Sequence, residues 1–152
     1  MYQISYILHI AGVAIWIGSF ITLGVLLRSL TKDKKVIADY TPIMQRIQQW
    51  VMKGVFPSLA LILLSGVYMI MQYNRDSLPL YITLMEQAGT IIILFTLIVI
   101  SIYSKRITKT IHDIPLKKPG TLTQFTKIYA NYLIISTLLG IGIIVIVGLR
   151  LT

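Results

Sequence analysis

The sequence predicts an all-α integral membrane protein, an antiparallel four-helix bundle forming a single domain over 1–152. Three observations lead there. Of the 152 residues 56% are hydrophobic and only 12% charged, more apolar surface than a water-soluble chain of this size can hide. Four apolar runs, at about 7–27, 54–73, 80–103 and 128–149, each reach the roughly 20 residues that cross a hydrocarbon layer of ~30 Å. Finally, 12 of the 14 basic residues fall in two of the connections.

The first run, Ile7–Leu27, holds 21 residues, and His9 is the only ionisable one. MYQIS ahead of it carries no Lys or Arg, and no small-residue cleavage site follows. It therefore reads as a span and not as a cleavable leader. At helical spacing His9, Gly12, Val13, Trp16 and Ser19 share one side. Gly12 would admit a partner backbone or a flat ligand close to the helix axis.

Next comes the first basic connection, with Arg28, Lys32, Lys34, Lys35, Arg46 and Lys53. Within it Thr41-Pro42 reads as a helix start, and Ile43, Ile47, Trp50 and Gly54 recur with helical spacing. The expectation is an amphipathic lead-in at 42–53 that runs on into the second span, with Gln45, Arg46, Gln48 and Gln49 on its other faces. Trp50 is expected at a membrane interface, and Pro57 is expected to bend the helix or mark where the span begins. The second span is followed by a short turn, YNRDSLP, whose only basic residue is Arg75.

The third span leads into the second basic connection, with Lys105, Arg106, Lys109, Lys117, Lys118 and Lys127. Pro115, Pro119 and Gly120 interrupt any helix there. Thr121 with Gln124 fits a capping box, which starts the fourth helix near Leu122. Ser136 and Gly140 in it form a small-xxx-small pair suited to close packing. By the positive-inside rule both basic loops are cytoplasmic, and both termini and the short turn lie outside. The expected location is the cell membrane, as a multi-pass protein. Short connections place consecutive spans side by side.

Composition also excludes function classes. With no cysteine there is neither a disulfide framework nor a thiolate metal site. The net charge of +9 sits beside membrane segments, so it reads as topology and attraction to anionic lipid headgroups, not as nucleic-acid binding. No nucleophile triad, phosphate loop or zinc-protease motif is present.

The chemistry concentrates at the outer end. An ionisable group at the depth of His9 needs a partner: a neighbouring helix, a headgroup or an ion. His112 cannot share a metal with it, because it lies past the opposite end of the third span. The groups expected on the side of His9 are Met69, Met71, Gln72, Tyr73, Met85, Glu86, Gln87, Arg75 and Arg150. Imidazole with a thioether is an axial pair for haem iron, and imidazole with several thioethers suits Cu(I). Arg75 and Arg150 match haem propionates, since a guanidinium binds carboxylates with a fork of donors. Glu86 fits an ion pair with one of these arginines, or a proton-accepting role beside His9. The candidate cofactor-binding set is therefore His9, Trp16, Met85, Arg75 and Arg150, with His9 as the metal ligand.

LHIAGVAIWIGSF, from Leu8 to Phe20, resembles the first helix of the copper-resistance D superfamily. It also resembles the related bacterial four-helix protoporphyrinogen oxidases. The likeness continues in RIQQWVMKGVFPSLALILLSGVYMI, Arg46–Ile70, and more weakly in KIYANYLIISTLLGIGIIVIVG, Lys127–Gly148. It implies a four-helix membrane protein that binds haem b through His9 and has a redox role, either electron transfer or oxidation of a lipophilic or porphyrin substrate. The oxidases carry a lysine near the start of the third helix and a further histidine within it. This chain has Met85-Glu86-Gln87 and no histidine in that span. Two other readings stand beside haem: a copper-binding or copper-transport membrane protein, and a non-catalytic subunit of a larger membrane complex. The sequence leaves open a homodimer or a membrane partner subunit.

Overall fold

The structure, a computed structural model, describes residues 2–32, 41–72, 80–112, 114 and 121–149. Four long helices account for nearly all of these: α1 (Tyr2–Lys32), α2 (Thr41–Ile70), α3 (Leu80–Ile111) and α4 (Leu122–Gly148). All four are long and apolar enough to cross a membrane. No strand occurs among the described residues.

The helices run longer than the apolar runs that announce them, because flanking residues add turns at the basic end and, on α1, also ahead of Ile7. Two of their boundaries have clear local causes. Thr121 caps α4: its hydroxyl accepts from the Gln124 backbone N–H at 3.3 Å, and its own N–H donates to Gln124 Oε1 at 3.2 Å. Each partner satisfies a donor that the helix cannot. The lead-in and the second span form one continuous helix, α2, with a π-helical turn at Val51–Val55. There the Phe56 N–H donates to the Val51 carbonyl, five residues back. Pro57 follows immediately. It has no N–H to offer the preceding turn, and the wider turn takes up the mismatch without breaking the helix.

The inward face of the lead-in differs from the expected one. Met44, Ile47, Gln48, Val51 and Val55 are buried, whereas Ile43 and Trp50 are exposed. The stripe is rotated by one position because Gln48 points into the bundle. Its Nε2 donates to the Ser104 carbonyl at 3.0 Å, and its Oε1 accepts from the Thr108 hydroxyl at 3.1 Å. Trp50 donates to Ser19 Oγ at 3.4 Å, so the lead-in lies alongside α1 and does not merely precede the second span.

Glycines set the closest helix approaches. A Cβ on Gly12 of α1 would stand 3.0 Å from the Ser58 carbonyl of α2 and 2.8 Å from Ile62 Cγ1. A Cβ on Gly24 would stand 2.7 Å from Ile134 of α4. On α4, Gly140 leaves the space that the Trp16 ring fills, 2.9 Å from where its Cβ would be. Its small-residue partner Ser136 shares a 2.8 Å hydrogen bond with Thr96 of α3. Helices α1 and α2, α1 and α4, and α3 and α4 therefore pack closely as antiparallel neighbours. The contact between α2 and α3 is thinner than any of these three, although the two are consecutive in the chain.

The core is unevenly distributed along the bundle. Trp16, Phe20, Leu27, Val51, Leu59, Ile100, Tyr129 and Leu133 are among its buried members. On α1 no residue before Gly12 is buried, on α3 none before Ile93, and on α4 none after Gly140. On α1, α3 and α4 packing is thus solid from the basic end to about two-thirds of the length and loosens where His9 sits, whereas α2 stays buried there at Ser65, Met69 and Ile70.

Candidate functional site

The loosened third encloses a cleft of about 740 Å³. Its volume lies within the range of sites that take small molecules and cofactors. All four helices contribute to it. His9 and Trp16 come from α1, Gly66 from α2, Met85 and Gly89 from α3, and Gly140 and Val147 from α4. Ile10, Val67 and Ile144 also line it and are 50, 56 and 49% exposed, so the cleft opens to the outside of the bundle. Its lining is otherwise apolar apart from His9, Trp16, Glu86 and Thr90.

His9 is half-buried, and its ring is held by α2. Nδ1 lies 3.0 Å from the Ile62 carbonyl oxygen and 3.1 Å from Ser65 Oγ. A carbonyl oxygen can only accept, so Nδ1 carries the hydrogen. Ser65 donates its own hydrogen to the Leu61 carbonyl and is left as an acceptor toward the imidazole. In the neutral ring Nε2 then keeps its lone pair, and it has no hydrogen-bond partner among the described residues. A ligating histidine is usually oriented this way, one nitrogen fixed by a carbonyl and the other available. Gly66 permits the arrangement, since a Cβ there would already touch His9 Cε1 at 3.4 Å.

Of the sequence-derived candidates, the structure brings together His9, Trp16 and Met85 in one cleft, with Glu86 beside them. Trp16 forms the inner end. Its ring is 4% exposed, and its Nε1 has no hydrogen-bond partner among the described residues. Met69 is buried outside the cleft lining and Met71 is exposed at the end of α2, so Met85 is the thioether that shares a cavity with the imidazole. Arg75 and Arg150 lie outside the described residues. His112 is exposed just after α3, roughly 39 Å along that helix from Glu86 at 1.5 Å per residue. The two histidines are therefore well apart.

The residues that sequence reasoning missed are Ser65, which positions the ring, and the glycines that widen the cleft, Gly66 and Gly89. Ser65-Gly66 was visible as a small pair, but nothing in its spacing tied it to His9. No group of three or more His, Cys, Asp or Glu side chains that could hold a metal occurs among the described residues. No family model matches the chain, and neither a curated protein nor a solved structure matches it.

Proposed function

We propose that this chain is a multi-pass membrane protein that binds haem b in the cleft beside His9 and serves a redox role. That role is electron transfer or oxidation of a lipophilic or porphyrin substrate. One observation carries the reading: an imidazole whose Nδ1 is tied to the Ile62 carbonyl, at 3.0 Å, lines a roomy and mostly apolar cleft. The residues present fit the group. His9 would hold it through Nε2, with Ile62 and Ser65 fixing the ring plane. Met85 is the candidate for a second ligand. The apolar walls from all four helices would exclude water from its faces, and Trp16 would close the inner end. Arg75 and Arg150 remain the candidates for its carboxylates. Haem held there supplies one-electron exchange at iron. Under the same reading the basic connections face the cytoplasm, and the His9 end faces outward.

Copper is the second reading, because Met85 shares the cleft with His9 and a thioether with an imidazole suits Cu(I). An absorption spectrum of the detergent-purified full chain separates the readings. A Soret band that disappears in His9→Ala and shifts in Met85→Leu is expected. Bound copper with no Soret band would favour the copper reading. Neither, with a co-purifying protein, would favour a subunit of a larger complex. The haem proposal is overturned by either of the last two results.

A further inference from the structure

We infer that the opposite end of the bundle holds a second site, a cleft between α1 and α4 that binds the phosphate of an anionic membrane lipid. Arg28, Thr31 and Lys32 of α1 and Lys127 and Asn131 of α4 line a cavity of about 330 Å³. Three cations and two neutral hydrogen-bonding side chains thus converge from two helices. The Thr31 hydroxyl is turned back on the Arg28 carbonyl at 3.1 Å, which anchors that turn of α1. Among the described residues no carboxylate pairs with Arg28, Lys32 or Lys127. The only described carboxylate is Glu86, which lies at the His9 end. Asp33, next to Lys32 in sequence, lies outside the described residues.

Three like charges around one cleft repel each other until an anion joins them. Arg offers a fork of donors to phosphate and the lysines supply point charges. Basic pockets between membrane helices on the cytoplasmic side are where anionic headgroups bind.

The neighbouring surface makes the occupant a lipid and not a free ion. Steps of seven residues stay on nearly the same helix side. Seven residues before Arg28 and Lys32 lie Ile21 and Val25, 44 and 59% exposed. Seven and fourteen residues after Asn131 lie Leu138 and Val145, 61 and 52% exposed. An apolar track therefore leads away from the cationic cleft toward the other end, as acyl chains attached to a headgroup require. This proposal rests on the membrane reading and is independent of haem.

Native mass spectrometry of the full-length protein, extracted from membranes in detergent, tests it. The probes are phosphatidylglycerol, phosphatidylcholine and inorganic phosphate. Phosphatidylglycerol should be retained well above phosphatidylcholine. The preference should fall about fivefold for each basic residue removed in Arg28→Gln, Lys32→Gln and Lys127→Gln. Lys105→Gln, an exposed cation outside the cleft, should leave it unchanged. Equal retention of the two lipids overturns the proposal, and so does an undiminished preference in the triple variant. Phosphate binding as tightly as the lipid would overturn the lipid assignment. A chain recovered in the soluble fraction without detergent would overturn the membrane reading itself. Lost preference in membrane-extracted protein removes only this site.

Discussion

Replacing Gly12 with alanine adds one methyl group where α1 and α2 are nearest, and the outcome can be worked from distances. The new Cβ would stand 3.0 Å from the Ser58 carbonyl oxygen and 2.8 Å from Ile62 Cγ1. Reaching ordinary contact at 3.4 Å means a retreat of about 0.4 Å from the first and about 0.6 Å from the second. Neither atom yields easily. One is backbone, and the other hangs on a β-branched side chain with a stiff first torsion. The helices must therefore part. Parting draws the Ile62 carbonyl away from His9 Nδ1, from 3.0 Å to about 3.5 Å, the edge of hydrogen bonding. Overpacking costs about 1–3 kcal/mol, and the weakened hydrogen bond about 0.5–1.5 kcal/mol. Better helix propensity returns about 0.5–1 kcal/mol. The net expectation is a loss of roughly 0.5–4 kcal/mol, centred near 2. Gly18 is the internal control, for a Cβ there meets nothing within 4 Å, so Gly18→Ala keeps only the propensity gain. Reversible unfolding in mixed detergent micelles measures both variants. The ¹⁵N signals of the His9 ring report whether Nδ1 keeps its proton and partner. A Gly12→Ala protein as stable as Gly18→Ala, with an unchanged Nδ1 signal, would refute the reasoning.

Three further variants address other parts of the bundle. Gln48→Ala removes two hydrogen bonds but leaves the Thr108 hydroxyl able to donate to the Ser104 carbonyl at 3.1 Å, so it should lower stability by about 0.5–1.5 kcal/mol in the same unfolding assay. Thr121→Ala breaks the capping box and should cost about 0.5–2 kcal/mol, with faster amide exchange confined to the first turn of α4. Tyr129→Phe removes a buried hydroxyl that has no hydrogen-bond partner among the described residues. Its unfolding midpoint should equal or exceed that of the parent, since an unsatisfied buried polar group is unfavourable by about 1–3 kcal/mol. A fall in the midpoint would mean the hydroxyl has a partner.

Much of the architecture was legible because membrane-length helices announce themselves by composition. An apolar run like Ile7–Leu27 with a single histidine needs no tertiary information to be read. The Thr121–Gln124 cap and the effect of Pro57 were equally local. What was hidden depends on register between helices. The sequence places Gln48 off the apolar stripe of the lead-in, since it does not say that Ser104 and Thr108 sit opposite it. The sequence marks Gly12 as a place of close approach, yet only packing shows that a backbone, and not a ligand, uses it. The site divides the same way. His9 stood out as the one ionisable group in its span, and Met85 as a thioether at a matching depth. Ser65, the residue that fixes the imidazole, is an ordinary serine until α2 is laid against α1.

The uneven distribution of buried residues has a dynamic consequence. Opening free energies in a fold track the local density of apolar contacts. Below Trp16 the helices should breathe only when the whole bundle comes apart. Above it the ends of α3 and α4, which have no buried residue there, can splay and reclose while the rest stays intact. A guest as large as a prosthetic group could then enter sideways without dismantling its host. Once lodged, it would supply the missing contacts and raise the resistance of that end to the level of the other. The hollow third would serve as doorway before loading and as keystone afterwards.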